Sequence, residues 1–498
     1  MPSTECTYNP VIGPSQARSH QLSTRSKLHI GKRVRFAYLL SSKRFAEALA
    51  TVGEKDLSTA RNAVWALFKL GCYRSAIALN RNPRTGREAL ALGTSLAACG
   101  DILGGCQVIR DAYSEGLLNS KLLNETACAI AQYSPTAALG LIERSPSAKP
   151  ELLTALLVAH DRIDEAIVVV KKTLAENHGA VDPDIFLLKA NLTADYALSL
   201  ELMNEYLAAY GLSPVGTKDD LEAPSAANLT STIKAGSIRG PLVTVTMPAY
   251  NTAKRIGASI ESLLAQSYRD IEVLVVDDGS TDETVGIIRA LAVRDSRVRL
   301  IERSENGGPY AARNMALANA RGDFVTCHDS DDWAHPEKIH KQTAPLLRDP
   351  SLIFTLSNWA RIQDDGLFYA RQVYPLTRLN PASPLFRRTE VIDRAGFYDN
   401  VRTGADSEYI ARLKLIFGRR GWRKLSEPLA FGAHRPNSLM TDSATGSARG
   451  KAMNVQRLEY WETWMNRHVN ALRNRQSLYR PFETFNEDER LRAPSARE

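Results

Sequence analysis

The spacing of apolar residues divides the chain into a helical region and an α/β region. Between residues 35 and 212 apolar residues recur every three or four positions, which predicts helices throughout. Helices that follow tight turns are predicted in KRFAEALATV (43–52), LGCYRSAIAL (70–79), CGDILGGCQVI (99–109) and HDRIDEAIVVV (160–170). The turns at Gly71, Gly100 and Asp161, with one more expected within 133–140, predict an all-α repeat (solenoid) of hairpins about thirty residues long.

The pattern changes after a linker, residues 213–240, that is rich in Gly, Pro, Ser and charge. Apolar runs then predict strands at LVTVTMP (242–248), IEVLVVDD (271–278), RVRLIE (297–302) and DFVTCHD (323–329). Strands that are apolar along their length and alternate with helices predict a parallel sheet covered on both faces. The expected organisation is a disordered N-terminus (1–34), the helical-repeat domain (35–212), the linker, an α/β domain (241–440), and a C-terminal helix and tail (441–498).

Composition changes this picture little. A chain of 498 residues is long enough for two or three domains, and its net charge of +8 suggests anionic partners. No basic run with interleaved aromatic residues stands out, so nucleic acid is not an expected partner. The six cysteines form no CxxC pair, and no secretory leader or membrane-spanning apolar run is recognisable. These features predict a cytoplasmic protein, with a membrane contact that is at most peripheral, at the inner face of the plasma membrane.

Two acidic clusters end predicted strands. Asp277 and Asp278 close the second strand, and Asp329, Asp331 and Asp332 follow the fourth. Open α/β sheets bind ligands at the carboxyl ends of their strands, so both clusters are expected at one site. Carboxylate oxygens suit Mg²⁺ or Mn²⁺, and an Asp-x-Asp loop therefore suggests a diphosphate held through a metal. Neither a P-loop nor a GxGxxG motif is present.

Residues 242 to about 440 resemble the family 2 glycosyltransferases of the GT-A fold. The resemblance rests on MPAYNTAKRIGASIESLLAQSY (247–268), VLVVDDGSTDET (273–284) and NGGPYAARNMALANARGDFVTCHDSDDWAHPEK (306–338). It implies a Rossmann-like α/β domain, a nucleotide-sugar donor, a divalent metal (Mn²⁺ or Mg²⁺) and inversion at the anomeric carbon. The stretch ALFKLGCYRSAIAL (66–79) resembles half of a tetratricopeptide repeat, although the predicted period is shorter than the usual 34 or so residues.

The resemblance also implies roles for residues near the nucleotide. Pro248, Tyr250 and Asn251 match the turn that lines the base, where a tyrosine can stack on a flat ring. Asp277 and Asp278 match the pair that hydrogen-bonds uracil and ribose. A glutamate often found shortly after this turn in the family is absent here, which leaves the fine donor contacts open.

Further matched residues are expected around the diphosphate. Arg313 lies within reach of it by resemblance, or forms a salt bridge on a helix surface. Asp329 and Asp331 match the Asp-x-Asp motif, with Asp331 as the direct metal ligand and Asp329 nearer the sugar or ribose. Asp332 is the alternative to Asp331. His434 is expected to be a further metal ligand, a phosphate donor or a structural residue.

The catalytic base of the family comes from a Glu-Asp pair that begins a late helix. In RTGADSEYIARL (402–413), Asp406 matches the aspartate, while Ala405 replaces the glutamate, whose contact is lost or passes to Glu408. A carboxylate there is suited to take the proton of an attacking hydroxyl. The alternative for Asp406 is a helix N-cap.

The C-terminal helix carries an apolar stripe, formed by Leu458, Trp461, Trp464 or Met465, Val469 and Leu472. Packing on the α/β domain is favoured over contact with an anionic membrane surface.

Taken together, these features predict an inverting, metal-dependent glycosyltransferase. Its donor would be a UDP-sugar, its acceptor a saccharide or lipid-linked hydroxyl, and its process bacterial surface polysaccharide synthesis. The alternatives are a sugar nucleotidyltransferase, or an interaction scaffold that binds a protein partner on its helical repeats beside a degenerate transferase domain.

Overall fold

The computed structural model describes residues 30–53, 56–57, 62–79, 82–145, 147–176, 181–436, 438–442, 445–446 and 448–482. Most of the predicted N-terminal disordered segment (1–34) and the end of the C-terminal tail therefore lie outside the described residues. The first described helix begins at Ile30, inside the segment predicted to be disordered.

Helices fill the described residues up to 209, as the apolar spacing predicts. They are α1 (Ile30–Ser41), α2 (Phe45–Ala50), α3 (Ala63–Lys69), α4 (Tyr73–Leu79), α5 (Gly86–Ala98), α6 (Ile102–Ser114), α7 (Ser120–Ile130), α8 (Pro135–Ile142), α9 (Pro150–Val158), α10 (Ile163–Glu176), α11 (Asp184–Ala190) and α12 (Tyr196–Ala209). Gly71, Gly100 and Asp161 separate neighbouring helices in left-handed conformations, with φ of 75°, 114° and 59°. The three predicted tight turns are therefore present, and the helices pack in consecutive pairs.

The predicted linker has structure of its own. Strands β1 (Val215–Thr217) and β2 (Leu229–Ser231) pair antiparallel. The Asn228 side chain accepts from two backbone amides and donates to three carbonyls within the loop between them. These bonds satisfy the backbone of a segment that contains little regular structure.

A parallel sheet with helices between its strands follows. Its elements are β3 (Val243–Ala249), α13 (Ala253–Leu264), β4 (Ile271–Asp277), α14 (Thr284–Arg294), β5 (Val298–Glu302), α15 (Pro309–Ala318) and β6 (Phe324–Cys327). The strand order is β5-β4-β3-β6, and every neighbouring pair is parallel. The four predicted strands thus form one sheet whose carboxyl ends share an edge.

Six further strands extend this sheet and make it mixed. The elements are β7 (Trp333–Ala334), α16 (Lys338–Arg348), β8 (Phe354–Ile362), β9 (Phe368–Tyr369), β10 (Arg378–Leu379), β11 (Leu385–Arg387), α17 (Arg388–Arg394), α18 (Ala405–Phe417) and β12 (Trp422–Ala433). Strand β11 joins β6 to β8 through antiparallel pairs, and β12 runs parallel to β8. The parallel arrangement expected from the sequence therefore holds for the first four strands only.

The helical region and the sheet share hydrophobic cores. One core combines Leu188 and Tyr206 with Phe368 and Phe431. A second combines Phe36 of α1 with sheet residues and with the last helix, α19 (Val455–Asn474). Burial of apolar side chains drives folding, so these two parts stabilise each other.

The apolar stripe of α19 lies inside this second core. Leu458, Trp464, Met465 and Val469 are buried, and the Trp461 indole donates to the backbone carbonyl of Leu70 at 2.6 Å. The apolar stripe therefore packs within the protein, as the favoured prediction expects. Within the described residues, no helix combines the length and the apolar character needed to cross a membrane.

Candidate active site

The ends of β3 and β4 are held together by the turn after β3. Asn251 has a left-handed backbone, with φ of 49°, and its side-chain oxygen accepts from the Thr281 amide at 2.8 Å. Its own amide donates to the Ser280 hydroxyl at 2.9 Å. Pro248 is the last but one residue of the strand, and the Tyr250 ring stands out from the turn, 46% exposed. The predicted base-lining turn therefore presents an accessible aromatic face.

Asp277 and Asp278 differ in what they leave open to a ligand. Asp277 accepts from the Gly279 and Ser280 amides through Oδ2, while its buried Oδ1 has no partner among the described residues. Asp278 instead holds the loop before α15: it pairs with Arg303 and accepts from the Gly308 amide at 2.7 Å. Burial raises the pKa of Asp278, and those donors oppose the rise.

Arginines pair with two of the three neighbouring aspartates after β6. Arg313 donates to Oδ1 of Asp329 at 2.5 Å, and Arg435 donates to Oδ2 of Asp331 at 2.8 Å. The Asp329 and Asp331 side chains remain 34% and 17% exposed, so a ligand can reach both. Asp332 is buried and accepts from the Ala433 amide, and burial raises its pKa well above the ordinary value.

Arg313 lies inside the protein and not on a helix surface. It is 5% exposed, and its guanidinium lies 5.1 Å from the centre of the Tyr310 ring. Tyr310 accepts from the Gly404 amide at 3.1 Å, at the start of α18. Through these contacts α15 connects the aspartates after β6 to the helix that carries Asp406.

Asp406 lies in the first turn of α18. The N-cap position belongs to Gly404, and Oδ1 of Asp406 accepts from the adjacent Ser407 amide. The Asp406 charge acts on Tyr310, whose pKa is raised first by burial and then by this carboxylate. Asp406 therefore belongs to the same group of side chains as Arg313.

Glu408 does not take over the position of the missing glutamate. Its side chain is fully buried, pairs with Arg412 at 2.8 Å and bonds His468 at 2.8 Å. This network packs α18 against α19, away from the aspartates. Glu408 thus does not supply the contact of the glutamate that Ala405 replaces, and Ala405 itself packs in a hydrophobic core.

His434 and Arg435 follow β12 and point in different directions. Arg435 turns towards Asp331, whereas the His434 ring stacks on Tyr369 with ring centres 3.7 Å apart. Burial first, and then Arg361 and two further arginines, lower the pKa of His434 to about 4. His434 is thus neutral and lies among cations.

The donor set fits a magnesium-like ion. Such ions take one or two carboxylates and complete their shell with water and phosphate oxygens. Asp329 and Asp331 provide two accessible carboxylates at the end of β6. Among the described side chains, no group of three or more His, Cys, Asp or Glu is arranged as a closed metal site.

The sequence reasoning missed Arg303 and Tyr310. It noted Arg435 beside His434, in a segment that resembles one near the diphosphate in the family, but did not predict the pairing of Arg435 with Asp331. Arg303 and Arg435 neutralise Asp278 and Asp331, and Tyr310 links Arg313 to α18. Arg435 follows the His434 that was singled out, but its partner lies 104 positions earlier. No local signal distinguishes such an arginine from a solvated one.

Comparison with known proteins identifies a family model that matches part of the α/β region. Residues 244–406, about a third of the chain, match the model of Glycosyl transferase family 2. The region resembles an "Uncharacterized glycosyltransferase" of Haemophilus influenzae, with 42% identity over 126 residues that cover 25% of this chain and 50% of that protein. A hyaluronan synthase of Pasteurella multocida is 29% identical over 180 residues, which cover 33% of this chain and 18% of that protein.

The chain spans half or less of the length of these curated relatives. Among solved structures, S. aureus TarS 1–349 in complex with UDP-GlcNAc matches with 23% identity and a TM-score of 0.34, over 39% of this chain and 59% of that one. The match to the family model shows that the chain carries a glycosyltransferase family 2 domain, with a GT-A-like fold built on a mixed sheet.

Proposed function

We propose that this protein is an inverting, metal-dependent glycosyltransferase. It transfers a sugar from a UDP-sugar to a hydroxyl of a saccharide or lipid-linked acceptor, in the synthesis of a bacterial surface polysaccharide. The observation that carries the proposal lies inside a domain of this family: Arg313 bonds Asp329, and Tyr310 links Arg313 to the start of the helix that carries Asp406. The similarity to a hyaluronan synthase supports the choice of a polysaccharide.

The nucleotide is assigned to the turn after β3 and the end of β4. Tyr250 stacks on the base, next to Pro248 and Asn251. The free Oδ1 of Asp277 accepts from the base or the ribose. Asp278, whose oxygens are used by the loop before α15, shapes this pocket. Arg313 fixes Asp329 towards the sugar or the ribose.

The metal is assigned to Asp331 and Asp329, and Asp331 is preferred to the buried Asp332 as the direct ligand. A bound Mn²⁺ or Mg²⁺ would supply positive charge against which the departing diphosphate is stabilised. His434, named from the sequence as a third ligand, lies on Tyr369 among arginines. Its position favours the alternative role near phosphate groups.

Asp406 is assigned as the general base. It takes the proton of the acceptor hydroxyl while that oxygen forms its bond to the anomeric carbon. The bond from the same carbon to the diphosphate oxygen breaks, and its electron pair leaves with the diphosphate. Attack from the face opposite the leaving group inverts the configuration. The helical region serves as an accessory domain that packs on the sheet.

Calorimetric titration with UDP, with and without Mn²⁺, tests the proposal. Wild type and Asp393→Asn, a matched change at an exposed aspartate on α17, should bind UDP more tightly with the metal. Asp331→Asn should weaken this binding at least about tenfold, because it removes one carboxylate from the shell. Absence of UDP binding in wild type would contradict the proposal and favour the scaffold alternative.

A further inference from the structure

Five arginines gather around strands β8 and β9 and the segments packed against them. They come from the end of β8, the segment between β9 and β10, strand β10 itself, the loop after β12 and the start of α19. This arginine cluster consists of Arg361, Arg371, Arg378, Arg449 and Arg457.

Aromatic rings pack against three of the five arginines and hold their guanidinium groups in place. The Arg449 guanidinium lies 5.1 Å from the centre of the Tyr369 ring, whose other contact is the stacked His434. Arg361 lies 5.0 Å from the Trp359 ring centre, and Arg371 lies 5.6 Å from that of Tyr133 on the helical side. A guanidinium on a ring face keeps its edge free to donate.

Carboxylates compensate the charges of the cluster only in part. Asp406 and Asp184 act on Arg457 and Arg378 from a distance, but no ion pair between two described residues includes any of the five arginines. The Nε atoms of Arg361, Arg378 and Arg449 are buried and have no hydrogen-bond partner in the described part of the chain. A buried cationic donor without an acceptor lowers the free energy of unfolding, and a bound anion would supply the missing acceptor.

The hydrogen bonds that the cluster does make go to neutral oxygens. Arg449 donates to the carbonyl of Ala370 at 2.8 Å, and Arg371 donates to the Gln132 side-chain amide at 3.1 Å. Arg378 bonds the Gln372 side-chain oxygen. These contacts position the guanidinium groups without neutralising them.

Arg457 places the cluster beside the proposed base. Burial lowers the pKa of Arg457, Tyr310 and Asp406 raise it, and the nearby Arg371 and Arg361 lower it. The packing of the helices agrees with this: Arg457 lies one turn before Tyr460 on α19, and the Tyr460 ring lies next to Gly404, at the start of the helix that carries Asp406. The opposite half of the sheet carries Tyr250 and the end of β4.

We propose that the arginine cluster is an acceptor subsite that binds a phosphate or carboxylate group of the acceptor. The inference rests on the proposed function and specifies its acceptor as an anionic saccharide or a phosphate-bearing one. Guanidinium groups bind both oxyanions through paired hydrogen bonds, which would hold the attacking hydroxyl next to Asp406. Gln132 and Tyr133, from the helical region, form part of the wall of this subsite.

The test is calorimetric titration of inorganic phosphate, and separately of glucuronate, into protein saturated with UDP and Mn²⁺. At least one of them should bind, and Arg378→Gln/Arg449→Gln should weaken that binding at least about tenfold, because two charge-assisted donors are lost. Binding of UDP should be unchanged in this variant. Preference for phosphate would indicate a phosphate-bearing acceptor, and preference for glucuronate a uronate.

Arg420→Gln, an exposed arginine after α18, is the matched control and should keep wild-type oxyanion binding. If the double variant does not melt cooperatively, Arg449→Gln alone replaces it, since that side chain bonds only a backbone carbonyl. The inference is overturned if saturation with UDP abolishes oxyanion binding, because the cluster would then serve the donor diphosphate. It is also overturned if neither oxyanion binds, or if the variant binds as tightly as wild type.

Failure of the proposed function gives a different result. Wild type would then bind no UDP, with or without Mn²⁺, while phosphate binding could still depend on Arg378 and Arg449. The cluster would in that case be an anion site unrelated to sugar transfer.

Discussion

At the scale of single residues, Arg313 determines how the proposed site is assembled. Its guanidinium is buried, donates to Asp329 at 2.5 Å and lies over the Tyr310 ring. A charge-assisted hydrogen bond in a buried position is strong and keeps Asp329 in one orientation before any ligand arrives. The remaining oxygens of the aspartates stay available to the donor.

Asp406→Asn should separate chemistry from donor binding. The amide cannot take the proton of the acceptor hydroxyl, so kcat should fall about 10²–10⁴-fold. The dissociation constant for UDP should stay unchanged, because Asp406 lies on the acceptor side. Initial rates of UDP release measure the first quantity and calorimetry the second. A variant with wild-type kcat would remove Asp406 from the role of base.

His335 makes stability depend on pH. Its Nδ1 accepts from the Glu337 amide at 3.2 Å, and its Nε2 contacts the Ser213 carbonyl at 3.0 Å, which describes a neutral ring. Burial lowers the pKa of His335 from 6.5 to about 4. Between pH 6.5 and about 4 the His335 ring is protonated in the unfolded chain and neutral in the folded protein. The free energy of unfolding therefore falls as the pH falls.

The free energy of unfolding should drop by about 1–2 kcal/mol between pH 7 and pH 5 through this group. The His335→Asn protein should lack this part of the pH dependence of stability. The His340→Asn protein, changed on α16, should retain it. Urea unfolding at the two pH values measures the difference. An equal drop in all three proteins would assign the pH dependence to other groups.

At the scale of elements, α18 shows how backbone conformation positions a functional side chain. Gly404 precedes the helix with φ of 89°, and Gly418 follows it with φ of 63°. Only glycine adopts these conformations without strain. The turn at Gly404 directs the first turn of the helix, which includes Asp406, towards α15.

Gly404→Ala and Gly418→Ala form a matched pair. Each should lower the free energy of unfolding by about 1 kcal/mol or more, because alanine resists a positive φ. A Cβ at Gly418 meets nothing within 4 Å, and one at Gly404 meets the Tyr460 ring at 3.4 Å. Only Gly404→Ala should also reduce kcat, since it shifts Asp406. Equal kcat in the two variants would contradict this role of the turn.

At the scale of the whole molecule, the helical region is bound to the sheet by polar contacts as well as by shared cores. Asp184 of α11 is buried and accepts from the Leu376 amide at 2.6 Å and from Thr377. The Tyr206 hydroxyl bonds the Thr377 side chain at 2.5 Å. Separation of the two parts would expose both cores and leave these groups unpaired.

Asp184→Ala should therefore destabilise both parts together. Loss of the carboxylate leaves two buried backbone amides without an acceptor, at a cost of about 1–3 kcal/mol. Calorimetry should show a single transition in wild type and in the variant, at a lower temperature in the latter. Asp164→Ala, at an exposed site on α10, should melt like wild type. Two separate transitions would show that the parts fold independently.

Local patterns determined much of this protein. The three- and four-residue spacing of apolar side chains is enough to predict helices, since a helix needs one buried face whatever it packs against. Continuous apolar strands with helices between them predict a parallel sheet with both acidic clusters at one edge, and the structure adds the strand order β5-β4-β3-β6. The turns at Gly71 and Gly100 follow from residues that tolerate a left-handed backbone.

Tertiary structure alone decided the rest. The pairing of Asp331 with Arg435, the bond of Glu408 to His468, and the arginine cluster all join residues distant along the chain or from different elements. The short antiparallel strands that make the sheet mixed have two to three residues each in β7, β9, β10 and β11, too few to show a period. Ion pairs and short strand pairs form between surfaces that come together only in the folded protein. The local sequence pattern around each residue therefore does not predict its partner.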